Sequence, residues 1–277
     1  MKPLLPGFSR HELDPGWAAL RDDVAPALFE AGVGQPERLP CDGSARGRLA
    51  HPIVDLGEQG RVVVRRCSHG GLVGKALGQR FWSPSRALNE LAVSVAARAR
   101  GAPAPEVVGV IVLPRAVGCR LFVLSRLIPD AVDLRVLLES APLSAARRRR
   151  LAHAVAQAVA ACHNAGLWHA DLHVKNILVQ SLNDPEPRAY VIDLDKATLH
   201  DALSPRQRLD NLARLHRSVE KWPAVRAAIG PRDKLRFLRA YERVSADLGR
   251  DAAQACARVS LWHKLFWRAQ RPAALSK

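Results

Sequence analysis

Asp171 and Asn176 stand five residues apart in "LWHADLHVKNILVQ" (167–180), just before a short apolar run. In a loop that enters a strand, this spacing turns both side chains into one cleft. A carboxylate there can accept the proton of a substrate hydroxyl, and an amide oxygen beside it can coordinate Mg2+. A second metal carboxylate is available farther on, where "YVIDLD" places Asp193 at the end of the next apolar stretch. Asp171 as catalytic residue, with Asn176 and Asp193 as metal ligands, is an outfit for phosphoryl transfer.

Those three residues need a helix, a loop and two strands to hold them. "SAARRRRLAHAVAQAVAACHNAG" predicts a long helix from Ser144 to Ala165, with Leu151, Val155, Val159 and Cys162 as its apolar stripe and Gly166 as its stop. "NILVQ" and "RAYVIDL" read as strands around the turn-rich "SLNDPEP". Upstream, "RGRLAHPIVDLGEQGRVVVRR" (46–66) reads as two short strands joined near 57–60, and "VVGVIVLP" and "CRLFVLSRL" as two more. Between these pairs lies a punctuated helix, with Ser83 as N-cap, Pro84 in the first turn and Gly101 as terminator. "AVDLRVLLES" starts a short helix after Pro129, and the pattern is helical from Ser204 onward. Residues 1–45, rich in Gly and Pro, read as an extension with short helical pieces. The plan is α+β and two-lobed, strands first and helices second.

Bulk composition narrows the partner. The 277 residues suffice for one large domain or two lobes around a real core. The net charge of +16 directs the protein to an anionic partner. No RNA- or DNA-binding motif accompanies the charge, so nucleic acid is not expected. Five scattered Cys without a CxxC argue against a zinc or disulfide framework. "MKPLLPGFSR" does not read as a signal peptide, and "VVGVIVLP" is too short to span a bilayer, so a soluble or peripheral protein is expected.

The order Asp171, Asn176, strand, turn, strand, Asp193 resembles the protein-kinase sequence HRDxxxxN followed by DFG. "HADLHVKN" keeps His169, Asp171, Leu172 and Asn176, with His169 bracing the loop. Ala170 replaces the usual Arg, and "DLD" replaces DFG, leaving Asp195 as a second acidic contact or a turn residue. The resemblance implies a kinase-like fold: a β-rich N-lobe over 1–124, a hinge over 125–132 and a helical C-lobe over 133–277. It also implies a phosphate-binding base paired with a helix carboxylate. Glu90 is the only acid between Gln59 and Pro105 and fills the second role. Arg65 in "VVVR" and Lys75 after "GGLVG" compete for the first, with Arg65 as the expected partner of Glu90 and Lys75 facing the acceptor. Lys175 either reaches a phosphate or is a solvated surface residue. "DGSARGR", with Gly43 and Gly47, offers only a partial glycine-rich loop.

More specifically, "RRCSHGGLVGK", "LIPDAVDL", "LWHADLHVKNIL", "VIDLDKA" and "LDNLARLHRS" together resemble the lipopolysaccharide kinases of Gram-negative bacteria. Within that family the pattern is nearest to the 3-deoxy-D-manno-octulosonic acid (Kdo) kinases, over residues from about 40 to about 222. The resemblance implies ATP- and Mg2+-dependent phosphorylation of a Kdo hydroxyl on lipid A-linked inner core, at the cytoplasmic face of the inner membrane. An acceptor with carboxylates and phosphates on an anionic membrane suits the basic charge. "SLWHKLFWRAQR" (260–271) either touches that interface or packs in a core. A related heptose or small-molecule kinase, and a non-catalytic nucleotide-binding scaffold, are the competing readings. Retention of Asp171, Asn176 and Asp193 speaks against the scaffold.

Overall fold

The apolar runs "VVGVIVLP" and "LFVL" lack the alternation of a half-exposed strand because both faces of the sheet they form are covered. In the computed structural model, which describes residues 5–41, 51–68, 80–140 and 142–245, they are β5 (Val107–Pro114) and β6 (Cys119–Arg126). They lie at the centre of a six-stranded antiparallel sheet. Its order is β1 (Phe8–Leu13), β2 (Gly16–Arg21), β5, β6, β4 (Arg61–Arg66), β3 (Ile53–Asp55). Ile111, Phe122 and Leu124 face one way, toward Leu28 of α1 (Ala25–Glu30). Val110, Val112, Leu121 and Val123 face the other way, toward Ala87 and Leu91 of α2 (Ser85–Ala99).

Over 1–45, where the sequence reads as an extension with short helical pieces, α1 is such a piece, and the hairpin β1–β2 corrects the rest. β1 is an edge strand whose side chains are mostly exposed, so it carries no core pattern. β2 presents Ala18, Ala19 and Leu20, all buried, and the two-sided burial again removes the alternation that would have marked it. Ser83 is likewise displaced by one residue from its expected role. Pro84 occupies the N-cap of α2, and Ser83 Oγ accepts the backbone N–H of Ser85 at 3.1 Å.

Between the end of β6 and the start of β7 (Ala131–Asp133), the chain passes from the large sheet to a helical lobe. Asp133 Oδ1 accepts the N–H groups of Arg135 (2.7 Å) and Val136 (3.3 Å), starting α3 (Leu134–Ser140). Then comes α4 (Ala145–Asn164), capped by Ser144 and packed through Leu151, Val155, Val159 and Cys162. β8 (Leu167–Trp168) follows and pairs with β11 (Thr198–Leu199). β9 (Ile177–Gln180) lies between β7 and β10 (Arg188–Val191). The lobe is closed by α5 (Pro205–Lys221), α6 (Pro223–Ala228) and α7 (Pro231–Val244). The end of α2 contributes Val93 and Ala97 to the core of this second lobe, so one helix is packed into both lobes.

Gly166 sets the path from α4 into the loop of Asp171. Its φ is +79°, and a Cβ there would lie 2.0 Å from the His200 carbonyl oxygen. Gly166 and His200 approach closely enough for His200 N–H to donate to Gly166 O at 2.9 Å. Gly166→Ala is therefore expected to lower stability by about 2 kcal/mol or more from the left-handed backbone and the clash together, read as a lowered midpoint in denaturant unfolding.

Candidate active site

His169 begins the loop, and its ring is buried and fully used. Nδ1 accepts the Asp171 N–H at 3.1 Å, so the proton sits on Nε2, which donates to the Ile192 carbonyl at 3.0 Å. Burial lowers its pKa, consistent with a neutral ring that ties the loop to the turn after β10. Asn176 Nδ2 donates to the Asp171 carbonyl at 3.0 Å, closing the loop from its far end. Asp171 and Asn176 are thus held in one small ring of hydrogen bonds, while the Asp171 carboxylate stays open to solvent.

Helix α5 grips this loop from below. Asn211 Oδ1 accepts the His169 N–H, and Asn211 Nδ2 donates to the His169 carbonyl, both at 3.1 Å. Ser218, two helical turns on, accepts the Val174 N–H at 3.1 Å and donates to Leu215 O at 2.7 Å. Behind Asn211 stands buried His163, whose Nδ1 lies 2.6 Å from the Tyr241 hydroxyl. Burial, with the nearby Arg208 guanidinium adding to it, pushes the His163 pKa down to about 3, so this imidazole is uncharged at neutral pH. Asn211 and Ser218 were not among the predicted site residues. Their seven-residue spacing in "LDNLARLHRS" puts both on one helix face, which is the signal available in the sequence.

His173 was also missed. Its Nε2 lies 3.3 Å from Asp171 Oδ2. That hydrogen bond is the main cause holding the Asp171 carboxyl down at about 2; burial opposes it, and the imidazoles and Arg214 add to it. Asp171 is an anion across the physiological range.

Above the loop, Arg65 on β4 donates from Nη2 to both oxygens of Glu90, at 2.6 and 2.5 Å. Its Nη1 lies 3.5 Å from Asp193 Oδ1. Burial alone would lower the Arg65 pKa, but the carboxylates of Glu90 and Asp193 outweigh it and hold the guanidinium above its ordinary value. Burial raises Glu90, with Arg65 opposing. Asp193 sits beyond the end of β10, in a turn rather than at the strand end, with a left-handed φ of +65°. Ile192 N–H donates to Asn176 O at 2.9 Å, which carries the Asp193 turn on the Asp171 loop.

Lys175 lies over the ring of Trp222, 4.2 Å from its centroid, with Arg135 at 3.6 Å and Lys221 at 5.7 Å. Lys75, Gly43, Gly47 and the 260–271 segment fall outside the described residues. Asp195 is neither a free acid nor a bare turn residue: it forms an ion pair with Arg86 of α2.

The oxygens present suit a hard cation. Asp193 Oδ1 is buried with no hydrogen-bond partner, and the Asn176 amide nitrogen is occupied by Asp171 O, so its oxygen is the group left to bind. Asn176 and Asp193 are the residues that could hold Mg2+.

The lipopolysaccharide kinase (Kdo/WaaP) family model matches residues 61–241, from β4 through Tyr241. The chain belongs to this family. It is 28% identical over 206 residues to the 3-deoxy-D-manno-octulosonic acid kinase of Vibrio parahaemolyticus, covering 73% of this chain and 82% of the relative. The enzyme of the same name from Vibrio cholerae is 30% identical over 183 residues, or 65% and 73% of the two chains. The lipopolysaccharide core heptose(I) kinase WaaP of Pseudomonas aeruginosa is 33% identical over 158 residues, or 54% and 57%. The solved structure of WaaP in complex with acyl carrier protein matches 88% of this chain and 97% of its own, with a TM-score of 0.55 and 23% identity, which supports the kinase-like fold. This lipopolysaccharide kinase is accordingly a phosphotransferase with an alcohol group as acceptor.

Two outcomes follow from the electrostatics of the kinase's site. Arg65→Ala strands a buried carboxylate and is expected to cost about 3–5 kcal/mol, whereas Arg65→Ala with Glu90→Ala costs less than the summed single changes. A double-mutant cycle in urea measures the coupling. His173→Ala is expected to raise the Asp171 pKa from about 2 toward the ordinary carboxylate range, read by carboxyl 13C chemical shift against pH.

Proposed function

We propose that the protein transfers the γ-phosphoryl group of ATP to a hydroxyl of Kdo in lipid A-linked inner core. The observation that carries the reaction class is the closed ring of hydrogen bonds joining His169, Asp171, Asn176 and Ile192 beside the Arg65–Glu90 pair. The acceptor is supported by the relatives named as Kdo kinases.

Asp171 receives the acceptor hydroxyl. A carboxylate with a pKa of about 2 is too weak a base to take an alcohol proton before bond formation. Its task is to orient the hydroxyl by accepting its hydrogen bond. It takes the proton late, when bonding to phosphorus has made the attacking oxygen acidic, as fits a loose transition state. His173 fixes the carboxylate for that hydrogen bond. Arg65 contacts phosphate oxygens of ATP while Glu90 holds its guanidinium in place. Asn176 and Asp193 would hold Mg2+, which would supply charge neutralisation on the phosphates.

The acceptor bears carboxylates and phosphates, and a chain of charge +16 is drawn to it and to an anionic membrane surface. None of the helices among the described residues is long and apolar enough to cross a membrane. The chain works as a peripheral protein on the cytoplasmic face of the inner membrane. Phosphorylation of a heptose is the second reading, favoured by the 33% identity to the heptose(I) kinase WaaP.

The test is mass spectrometry of Kdo–lipid A, and of heptose-bearing core, after incubation with ATP, Mg2+ and the protein. One phosphate added to Kdo is expected, and addition to heptose alone selects the second reading. Folded Asp171→Ala is expected to lose roughly 10²–10⁴-fold in rate, and near-normal turnover in that variant would remove Asp171 from the reaction.

A further inference from the structure

Helix α2 makes a second set of contacts one turn before Glu90. Arg86 pairs with the Asp195 carboxylate through both Nε and Nη2. Asn89 Nδ2 donates to the carbonyls of Asp195 (3.1 Å) and Ala197 (3.2 Å). Arg86 also lies over the Phe81 ring, 5.3 Å from its centroid. The Asp195 side chain is only 8% exposed, so its charge depends on this partner. Arg86, Asn89 and Glu90 are spaced i, i+3, i+4 and share one helix face.

Between the two sets of contacts sits Asp193. Arg65, held by Glu90, lies on one side of it, and Asp195, held by Arg86 and Asn89, follows it by two residues. A non-glycine residue at φ +65° persists only where its surroundings over-determine it. We propose that Arg86 and Asn89 are positioning residues for phosphoryl transfer: by gripping Asp195 and the backbone behind it, they fix the Asp193 turn in its metal-binding conformation. The proposal rests on the reading of Asp193 as the Mg2+ carboxylate.

The placement of α2 and of the metal carboxylate must both be right for transfer, and in protein kinases activation-loop phosphorylation controls them. Here side chains of the folded chain join the two directly. Ala170 stands where an Arg would read a phosphorylated loop. The latch is built in and needs no modification to close.

The experiment is calorimetric binding of ATP to the full chain, once with Mg2+ and once with EDTA. The variants are Asn89→Ala, Asp195→Asn, Asp193→Asn and the double variant Arg86→Ala/Asp195→Ala, which leaves no unpaired buried charge. Loss of a residue that orients a metal ligand typically weakens metal affinity about 10–100-fold. The double variant and Asn89→Ala are expected to lose that factor with Mg2+ and little with EDTA, and to leave the acceptor KM unchanged. Asp195→Asn, which can still accept from Arg86, is expected to lose far less than Asp193→Asn. Wild-type Mg2+-dependent binding in Asn89→Ala and in the folded double variant, with Asp193→Asn defective, would overturn the latch alone. Should the double variant fail to fold, Asn89→Ala decides. If Asp193→Asn shows no Mg2+-specific defect, the metal assignment falls and the latch with it.

Discussion

A single carboxylate, Glu90, is buried to 5% exposure in a helix that is packed into both lobes. Burying an unpaired carboxylate costs several kcal/mol, and Arg65 answers that cost with bonds to both oxygens. That one pairing sets where α2 lies against β4. It also decides which way the remaining guanidinium nitrogen points, and Asp193 is found there. The upper half of the site is therefore organised by charge, and each charged group is held by its neighbour.

The lower half is organised differently. His163, His169, Asn211 and Tyr241 are buried and joined by hydrogen bonds, Ser218 separately holds Val174, and burial keeps both imidazoles neutral. A neutral network tolerates burial if each member finds a partner, and it fixes backbone rather than charge. Asn211 binds both backbone groups of His169, so helix α5 specifies the loop conformation through a neutral side chain. The Asp171 charge is then governed by His173 at its side.

Much of this arrangement was legible in the sequence because it is local or periodic. The Asp171–Asn176 spacing, the stripe of α4 and the isolation of Glu90 in a basic stretch are visible along the chain. Arg65 was recognisable as its partner because a strand residue is held rigidly. What escaped notice depends on three-dimensional placement. β1 and β2 lack alternation, since one is an exposed edge and the other is covered on both faces. Asp195 reads in the sequence as an acidic contact or a turn residue, and its partner Arg86 is too far away along the chain to be recognised. Asn211 and Ser218 show only a shared helix face until the loop they hold is in place. His173 looks like a variable loop residue until its ring is seen beside Asp171.

Among the described residues around Asp193 the charge balance runs against that of the molecule. The whole chain carries +16, yet around the Asp193 turn Arg65 and Arg86 meet three carboxylates, Glu90, Asp193 and Asp195, with Asp171 on the loop below. Arg65 is shared between two of them and so is largely neutralised before any phosphate arrives. A bare triphosphate would meet repulsion from Asp193 and little free positive charge from Arg65. On the proposed function, these oxygens would favour a nucleotide accompanied by a divalent cation over the nucleotide alone. The excess positive charge elsewhere on the protein suits the anionic acceptor of the proposed reaction. In the proposed reaction donor and acceptor are both anions, and the chain would separate them by meeting one with a cation held between carboxylates and the other with basic side chains.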